Sequence, residues 1–128
     1  MPKWADYKRE ARERGALALE LFVVQSTPVA NPSALKKTLP RHLAYQLEIE
    51  DAGHLVFAGP LSDETGNETT GAGLMIYRAD SMDQAQAIAE ADPMHKEGKR
   101  TFTLRRWLVN EGGMTISVRF AGQKATLV

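Results

Sequence analysis

The chain contains no cysteine, and this absence excludes disulfide bonds, thiolate catalysis and cysteine-based zinc sites. It also lacks a surplus of positive charge, because 16 lysines and arginines are matched by 16 aspartates and glutamates. A general nucleic-acid-binding protein needs such a surplus, so we expect no nucleic-acid partner. No apolar run approaches the length of a membrane-spanning helix, and the first residues lack the apolar segment of a signal peptide. We therefore expect a soluble, cytoplasmic protein without a membrane partner.

The chain is long enough for one domain with a real hydrophobic core. It has 128 residues, of which 43% are hydrophobic. Residues 3–14 are highly charged with a narrow apolar stripe and are followed by Gly15, which predicts a short helix. We therefore divide the chain into an N-terminal helical arm, residues 1–15, and a main domain, residues 16–128.

Apolar periodicity predicts alternating strands and helices in the main domain. The predicted strands are residues 17–25, 54–58, 73–77 and 101–109, and the predicted helices are residues 40–52 and 81–91. Pro40 suits the first turn of the earlier helix, and leucines spaced four apart give it an apolar stripe. Ser81 and Gln84 have the spacing of a capping box for the later helix. The proline-marked residues 26–39 are predicted to be a loop.

The order β-α-β-β-α-β predicts an α+β, ferredoxin-like fold, an antiparallel sheet with both helices on one face. A tight-turn sequence at residues 110–113 and the alternation over residues 114–120 predict an extra C-terminal strand. The first and third strands of the sheet are apolar on both faces. A second copy of the chain could cover the open face, so we expect a homodimer.

His42 and Asp92 are the candidate catalytic residues. His42 lies near the predicted start of one helix and Asp92 at the predicted end of the other. The positive end of the helix dipole would keep His42 neutral as a general base, and Asp92 would accept the other ring N–H. The same two residues could equally form a buried hydrogen-bonded pair that only joins two helices.

Five other residues are candidates for lining a pocket. Gly59 and Pro60 end the second strand and could line the mouth of a pocket. His95 follows the second helix, as a second proton carrier or a surface histidine. Arg105 and Trp107 could hold a carboxylate or ring ligand, unless they are edge-strand residues that discourage aggregation. No histidine pair has the helical spacing of metal ligands, so we predict no metal site.

Three short motifs resemble the YciI-related (YCII) domain family. They are Leu39–Leu43, Val56–Leu61 and Ala89–Met94, and the resemblance covers about residues 19–109. It implies a dimeric α/β barrel, with a pocket in each subunit in which His42 and Asp92 face each other. Residues 1–15, 26–39 and 111–128 depart from the common pattern of the family.

The resemblance also implies a function, since the family includes proposed lyases and dehalogenase-like enzymes acting on small ring compounds. One hypothesis is a cofactor-free acid–base enzyme that eliminates, isomerises or dehalogenates a small polar or aromatic compound. The alternative is a non-catalytic, dimeric domain that binds a small molecule or serves an accessory role. No motif marks a haem or flavin site, so we expect no cofactor.

Overall fold

The computed structural model describes residues 1–127. In chain order, the elements are α1 (Trp4–Glu13), β1 (Leu19–Pro28), α2 (Pro32–Asp51), β2 (Leu55–Ser62), β3 (Thr69–Tyr77), α3 (Met82–Ala91), α4 (Pro93–Lys96), β4 (Arg100–Val109), β5 (Ile116–Arg119) and β6 (Lys124–Leu127). None of the helices within residues 1–127 has both the length and the apolar character needed to cross a bilayer.

The larger of two compact units comprises residues 20–107 and contains a four-stranded sheet. The strand order is β2-β3-β1-β4, and β3 pairs antiparallel with both β1 and β2. This is the order of a ferredoxin-like split unit. The predicted α+β class and the antiparallel sheet are therefore confirmed.

One face of the sheet carries the hydrophobic core. Phe22 pairs with Tyr77 and Val24 with Met75, so these four side chains point to the same side. The helices add Ile49, Ala85, Ile88 and Ala89 to the core. Both α2 and α3 therefore pack on one face, as predicted. The next position on this face of β1 is Ser26, which is polar and 2% exposed.

Helix α2 is longer than predicted and begins at Pro32, so most of the predicted loop at residues 26–39 is wrong. The Asn31 side chain caps the helix by accepting a hydrogen bond from the Ala34 amide at 2.9 Å. Pro40 consequently lies inside the helix, and His42 lies in its middle. The prediction that a helix N-terminus keeps His42 neutral is therefore wrong.

The leucine stripe of α2 lies outside the hydrophobic core, and its three leucines line a cavity that is described below. Leu39, Leu43 and Leu47 are 41%, 53% and 62% exposed. Thr38 and Ile49 are the buried residues of this helix. The helical spacing was correct, but the polar Thr38, which marks the inward face, was not recognised.

The smaller unit contains residues 1–19 and the segment from Leu108 onward. Helix α1 matches the predicted arm helix, and the amide of Leu17 donates to the carbonyl of Asn110 at 3.3 Å. Strand β5 pairs with β6 in a separate two-stranded sheet. The extra C-terminal strand is thus present, while the predicted boundary between residues 15 and 16 stays a prediction.

Candidate functional site

Asp92 is buried at the junction of two helices. Pro93 disfavours the helical conformation of the preceding residue, and Asp92 has φ −59° and ψ 124°. Its Oδ1 atom accepts a hydrogen bond from the Met94 amide at 2.9 Å, which caps α4. Asp92 is 0% exposed. A carboxylate so fully removed from water needs polar partners within the protein.

His42 supplies the second partner of this carboxylate. Its Nδ1 atom lies 2.8 Å from Asp92 Oδ1 and 2.9 Å from Oδ2. An ionised carboxylate can only accept, so Nδ1 carries the hydrogen, and Nε2 is the basic nitrogen of the neutral ring. The structure therefore brings together the two residues singled out from the sequence. Their catalytic role stays a prediction.

Contacts on both sides of His42 hold α2 in place. The Tyr45 hydroxyl donates to the Ile88 carbonyl of α3 at 2.7 Å. The Arg41 guanidinium uses both terminal nitrogens on the Glu97 carboxylate, just after α4, with Nη2 at 2.9 Å. Burial raises the pKa of Tyr45 to about 12, and the hydrogen bond from Arg41 lowers the pKa of Glu97. Tyr45 is thus a protonated donor and Glu97 an ionised acceptor at neutral pH.

A cavity of about 630 Å³ lies beside this pair. Its walls come from α2, β2 and β3, and they are mostly apolar, with the polar side chains of Ser26, His42, Gln46, Glu50 and Arg100 among them. Gly59 and Pro60 also line it, whereas Asp92 does not. His42 therefore turns Nδ1 toward the buried carboxylate and its opposite edge toward the cavity. This volume is typical of small-molecule sites.

Gln46 lies one helical turn after His42 on the same wall. Its Nε2 atom is 3.4 Å from His42 Nε2 and 3.1 Å from the sulfur of Met75. Gln46 Oε1 is buried without a hydrogen-bond partner. Because 3.4 Å is longer than an ordinary hydrogen bond, His42 Nε2 is only loosely engaged.

A second set of hydrogen-bonded polar side chains, His95, Ser26 and Arg100, lies at the same sheet. His95 Nδ1 lies 2.7 Å from the Ala89 carbonyl, which can only accept, so this nitrogen carries the hydrogen. Burial lowers the pKa of His95, so its Nε2 is free to accept the hydroxyl hydrogen of Ser26 at 2.7 Å. Ser26 Oγ in turn accepts from Arg100 Nε at 2.8 Å. Ser26 and Arg100 line the cavity, and His95 is linked to it through Ser26.

The remaining predicted pocket residues lie elsewhere. Arg105 is exposed on β4, and Trp107 on the same strand is 44% exposed. Neither is among the residues that line the cavity. Within residues 1–127, no three metal-ligating side chains of the histidine, cysteine or acidic types come together.

Ser26, Gln46 and Arg100 are among the cavity residues that were not predicted from the sequence. Ser26 had a readable signal, because it continues the inward positions of β1 after Phe22 and Val24. Gln46 had one too, since it follows His42 by one helical turn. Arg100 had none, because its contacts depend on three strands lying side by side.

Comparisons with known proteins agree with this fold. A family model described as the YCII-related domain matches residues 18–108. The uncharacterized protein YjpA of Bacillus subtilis (strain 168) is 30% identical over 66 residues, which are 52% of this chain and 71% of YjpA. A solved structure of 5-chloro-2-hydroxyhydroquinone dehydrochlorinase (TftG) from Burkholderia phenoliruptrix AC1100, in complex with 2,5-dihydroxybenzoquinone, is also similar. It has a TM-score of 0.52 and 26% identity, covering 68% of this chain and 92% of that one.

Proposed function

The chain belongs to the YCII-related domain family, and on that premise we propose that it is an acid–base enzyme of the lyase type acting on a small ring compound. The observation that carries the proposal is the contact of His42 with both oxygens of the fully buried Asp92, beside a cavity that His42 lines. The similarity to TftG, a dehydrochlorinase, supports elimination as the reaction class.

In this mechanism, His42 Nε2 removes a proton from the substrate. In a chlorinated hydroxybenzene this proton comes from a ring hydroxyl while the ring is in its keto tautomer, in which the carbon that bears chlorine is saturated. The O–H electrons form a carbonyl, the adjacent ring double bond shifts to the chlorine-bearing carbon, and chloride departs with its bonding electrons, which leaves a quinone. Asp92 holds the Nδ1 hydrogen and stabilises the imidazolium until His42 returns its proton to water. A positioned base contributes about 10²–10⁴ in rate, so the substrate needs an acidic proton and a good leaving group such as chloride. Each step uses side chains of this chain.

The test is turnover of chlorinated, hydroxylated benzenes by the purified protein. Released chloride and the absorbance of a quinone product are the readouts. We expect His42→Ala to reduce turnover by about 10²–10⁴, because the base is removed. His54→Ala is the matched control, since the His54 ring bonds to the Arg78 carbonyl and does not line the cavity.

Turnover that survives in a folded His42→Ala variant would contradict the proposal. Circular dichroism and thermal unfolding establish that both variants keep the fold. A wild-type protein that turns over none of these compounds yet binds them would favour the second candidate.

That second candidate is a non-catalytic small-molecule-binding domain. It is favoured by Gln46, whose amide nitrogen lies 3.4 Å from His42 Nε2, where a substrate would have to deliver its proton. It predicts that His42→Ala changes ligand affinity and that no bound compound is converted.

We further propose that the protein is a homodimer. Phe57 pairs with Ile76, so the register assigns it to the sheet face opposite the core; it also contributes to the cavity lining, and it is 52% exposed. Covering such a residue with a second copy removes apolar surface from water. Light scattering should give twice the 14.1 kDa of one chain. Phe57→Lys should shift the protein toward monomer, and a wild-type monomer at high concentration would contradict the proposal.

A further inference from the structure

Arg100 is the cationic residue that lines the cavity, and the proposed mechanism uses neither it nor Glu50, the acidic residue of the lining. It begins β4 and reaches across β1 to β3. Its Nη2 atom donates to the carbonyl of Ser26 at 2.9 Å and to that of Gly71 at 2.6 Å, and Nε donates to Ser26 Oγ at 2.8 Å. These partners are neutral, so they fix the guanidinium in place without neutralising its charge.

Arg100 has no counterion within ion-pair distance among residues 1–127. By contrast, Arg9, Arg41 and Arg106 each contact a carboxylate. Burial lowers the pKa of Arg100, opposed by the more distant charge of Asp92, yet a guanidinium stays protonated in proteins. A partly buried charge without a counterion is unfavourable, and an anion in the cavity would relieve that cost.

The wall beside Arg100 leaves room for such an anion. Arg100, Gly71 and Gly73 all line the cavity. A Cβ atom on Gly73 would lie 3.9 Å from Arg100 Nη2, so larger side chains there would fill the space next to the guanidinium. No described residue accepts a hydrogen bond from Nη1, which leaves these donors available to a ligand.

Ser26 and His95 hold Arg100 in this orientation. The Ser26 hydroxyl gives its hydrogen to His95 Nε2, so its oxygen can accept from Arg100 Nε. His95 is fixed in turn by the Ala89 carbonyl. Ser26 and His95 are therefore positioning residues, and Arg100 is the group that would touch the ligand.

We propose that the cavity binds a small, ring-bearing organic anion, with its carboxylate or phenolate oxygen on Arg100. This deepens the proposed function, on which it rests for the reaction at His42, by naming an anion as the substrate class. Because Nε and Nη2 are already engaged, the two hydrogens of Nη1 would bind the oxygen of the anion. A hydrogen bond between two charged groups is shorter and stronger than a neutral one, which favours the anionic form of the ligand.

The experiment compares acids with their neutral amides in binding to the full chain. Benzoate and 2-naphthoate are titrated against benzamide and 2-naphthamide, with amide NMR shifts as the readout. We expect each acid to bind wild type at least about tenfold more tightly than its amide. Arg100→Gln should remove this preference by weakening the acids alone, and Arg100→Lys should retain part of it. Arg78→Gln is the control, because Arg78 also donates to a backbone carbonyl but lies outside the cavity.

Equal affinity of acids and amides for the wild-type protein overturns the inference, whether both bind or neither does. Unchanged acid affinity in a folded Arg100→Gln variant also overturns it. If Arg100→Gln does not fold, the wild-type comparison and Arg100→Lys decide the matter.

Failure of this inference is distinguishable from failure of the proposed function. His42→Ala should keep the preference for acids, because Arg100 is intact. A protein that prefers anions and converts none retains the inference and loses the enzyme proposal. An active enzyme that binds acids and amides equally well retains the enzyme proposal and loses this inference.

Discussion

His42 and His95 are two imidazoles on one side of the same sheet, and both are held through Nδ1. Behind His42 lies the Asp92 carboxylate, which is fully buried. Behind His95 lies the Ala89 carbonyl, which carries no formal charge. A hydrogen bond to a charged acceptor is stronger than one to a neutral carbonyl, so the ring of His42 is held more firmly than that of His95.

The hydrogen bonding of the second ring nitrogen, Nε2, also differs between the two histidines. His95 Nε2 is occupied by the Ser26 hydroxyl at 2.7 Å, whereas His42 Nε2 has only Gln46 at 3.4 Å. A histidine that acts as a general base needs a stabilising charge at one ring nitrogen and no strong hydrogen bond at the other. The fold satisfies both conditions at His42 and neither at His95, which instead holds Ser26.

The largest expected effect comes from Asp92→Asn. The asparagine oxygen can still cap α4 and accept from His42 Nδ1, but the negative charge that stabilises the imidazolium is lost, and an amide nitrogen takes the place of the Oδ2 atom that lies 2.9 Å from Nδ1. We expect turnover of an identified substrate to fall by about 10²–10⁴. The companion variant His95→Gln should lower kcat by less than about tenfold, because a neutral amide replaces a neutral ring. Equal losses of kcat in the two variants would contradict the prediction that only His42 acts as the general base.

The second prediction concerns stability and compares two helix caps. Asp92→Ala removes both the α4 cap and the partner of His42 at a fully buried position. We expect the free energy of unfolding to fall by about 2–4 kcal/mol. Ser81→Ala removes only the exposed cap of α3, where the Gln84 amide donates to Ser81 Oγ, and should cost about 1 kcal/mol. Urea unfolding measures both, and equal losses would mean that the contact with His42 adds nothing.

The third prediction uses the acid sensitivity of His95. Burial lowers its pKa in the folded state, whereas an unfolded histidine titrates near about 6.5. The unfolded chain therefore binds the proton first, so this contribution to stability is present above about pH 6.5 and is lost as the pH falls through the folded pKa. His95→Gln should flatten the decline of Tm between about pH 7 and 5. A decline as steep in His95→Gln as in wild type would assign it to other groups.

The residue pattern was sufficient to predict the antiparallel sheet and the Ser81 cap of α3. Strand alternation indicates which side chains share a face, and Pro93 marks the end of α3, where Asp92 lies. The pairing of His42 with Asp92 rested on the family resemblance, because no local pattern specifies a contact between residues fifty apart in the chain.

The start of α2 and the second set of polar side chains were not predicted, for two physical reasons. Asn31 with Pro32 and the later Pro40 are competing start signals, and tertiary packing tolerates a proline inside this helix. The contacts of Arg100 with Ser26 and Gly71 join three strands, so they depend on sheet order and not on spacing along the chain.

The prediction with the smallest expected effect tests whether His42 Nε2 is accessible to a substrate. Gln46→Leu removes the amide near His42 Nε2 and also the buried Oε1 atom that lacks a partner. A contact of 3.4 Å contributes little, so turnover should change by less than about threefold, and the free energy of unfolding should stay equal or rise. Ser26→Ala is the matched change at His95, where a 2.7 Å hydrogen bond is lost and stability should fall by about 1 kcal/mol. A large loss of turnover in Gln46→Leu would instead indicate that Gln46 takes part in proton transfer. His42 Nε2 would then be engaged by a neighbouring side chain, as His95 Nε2 is by Ser26.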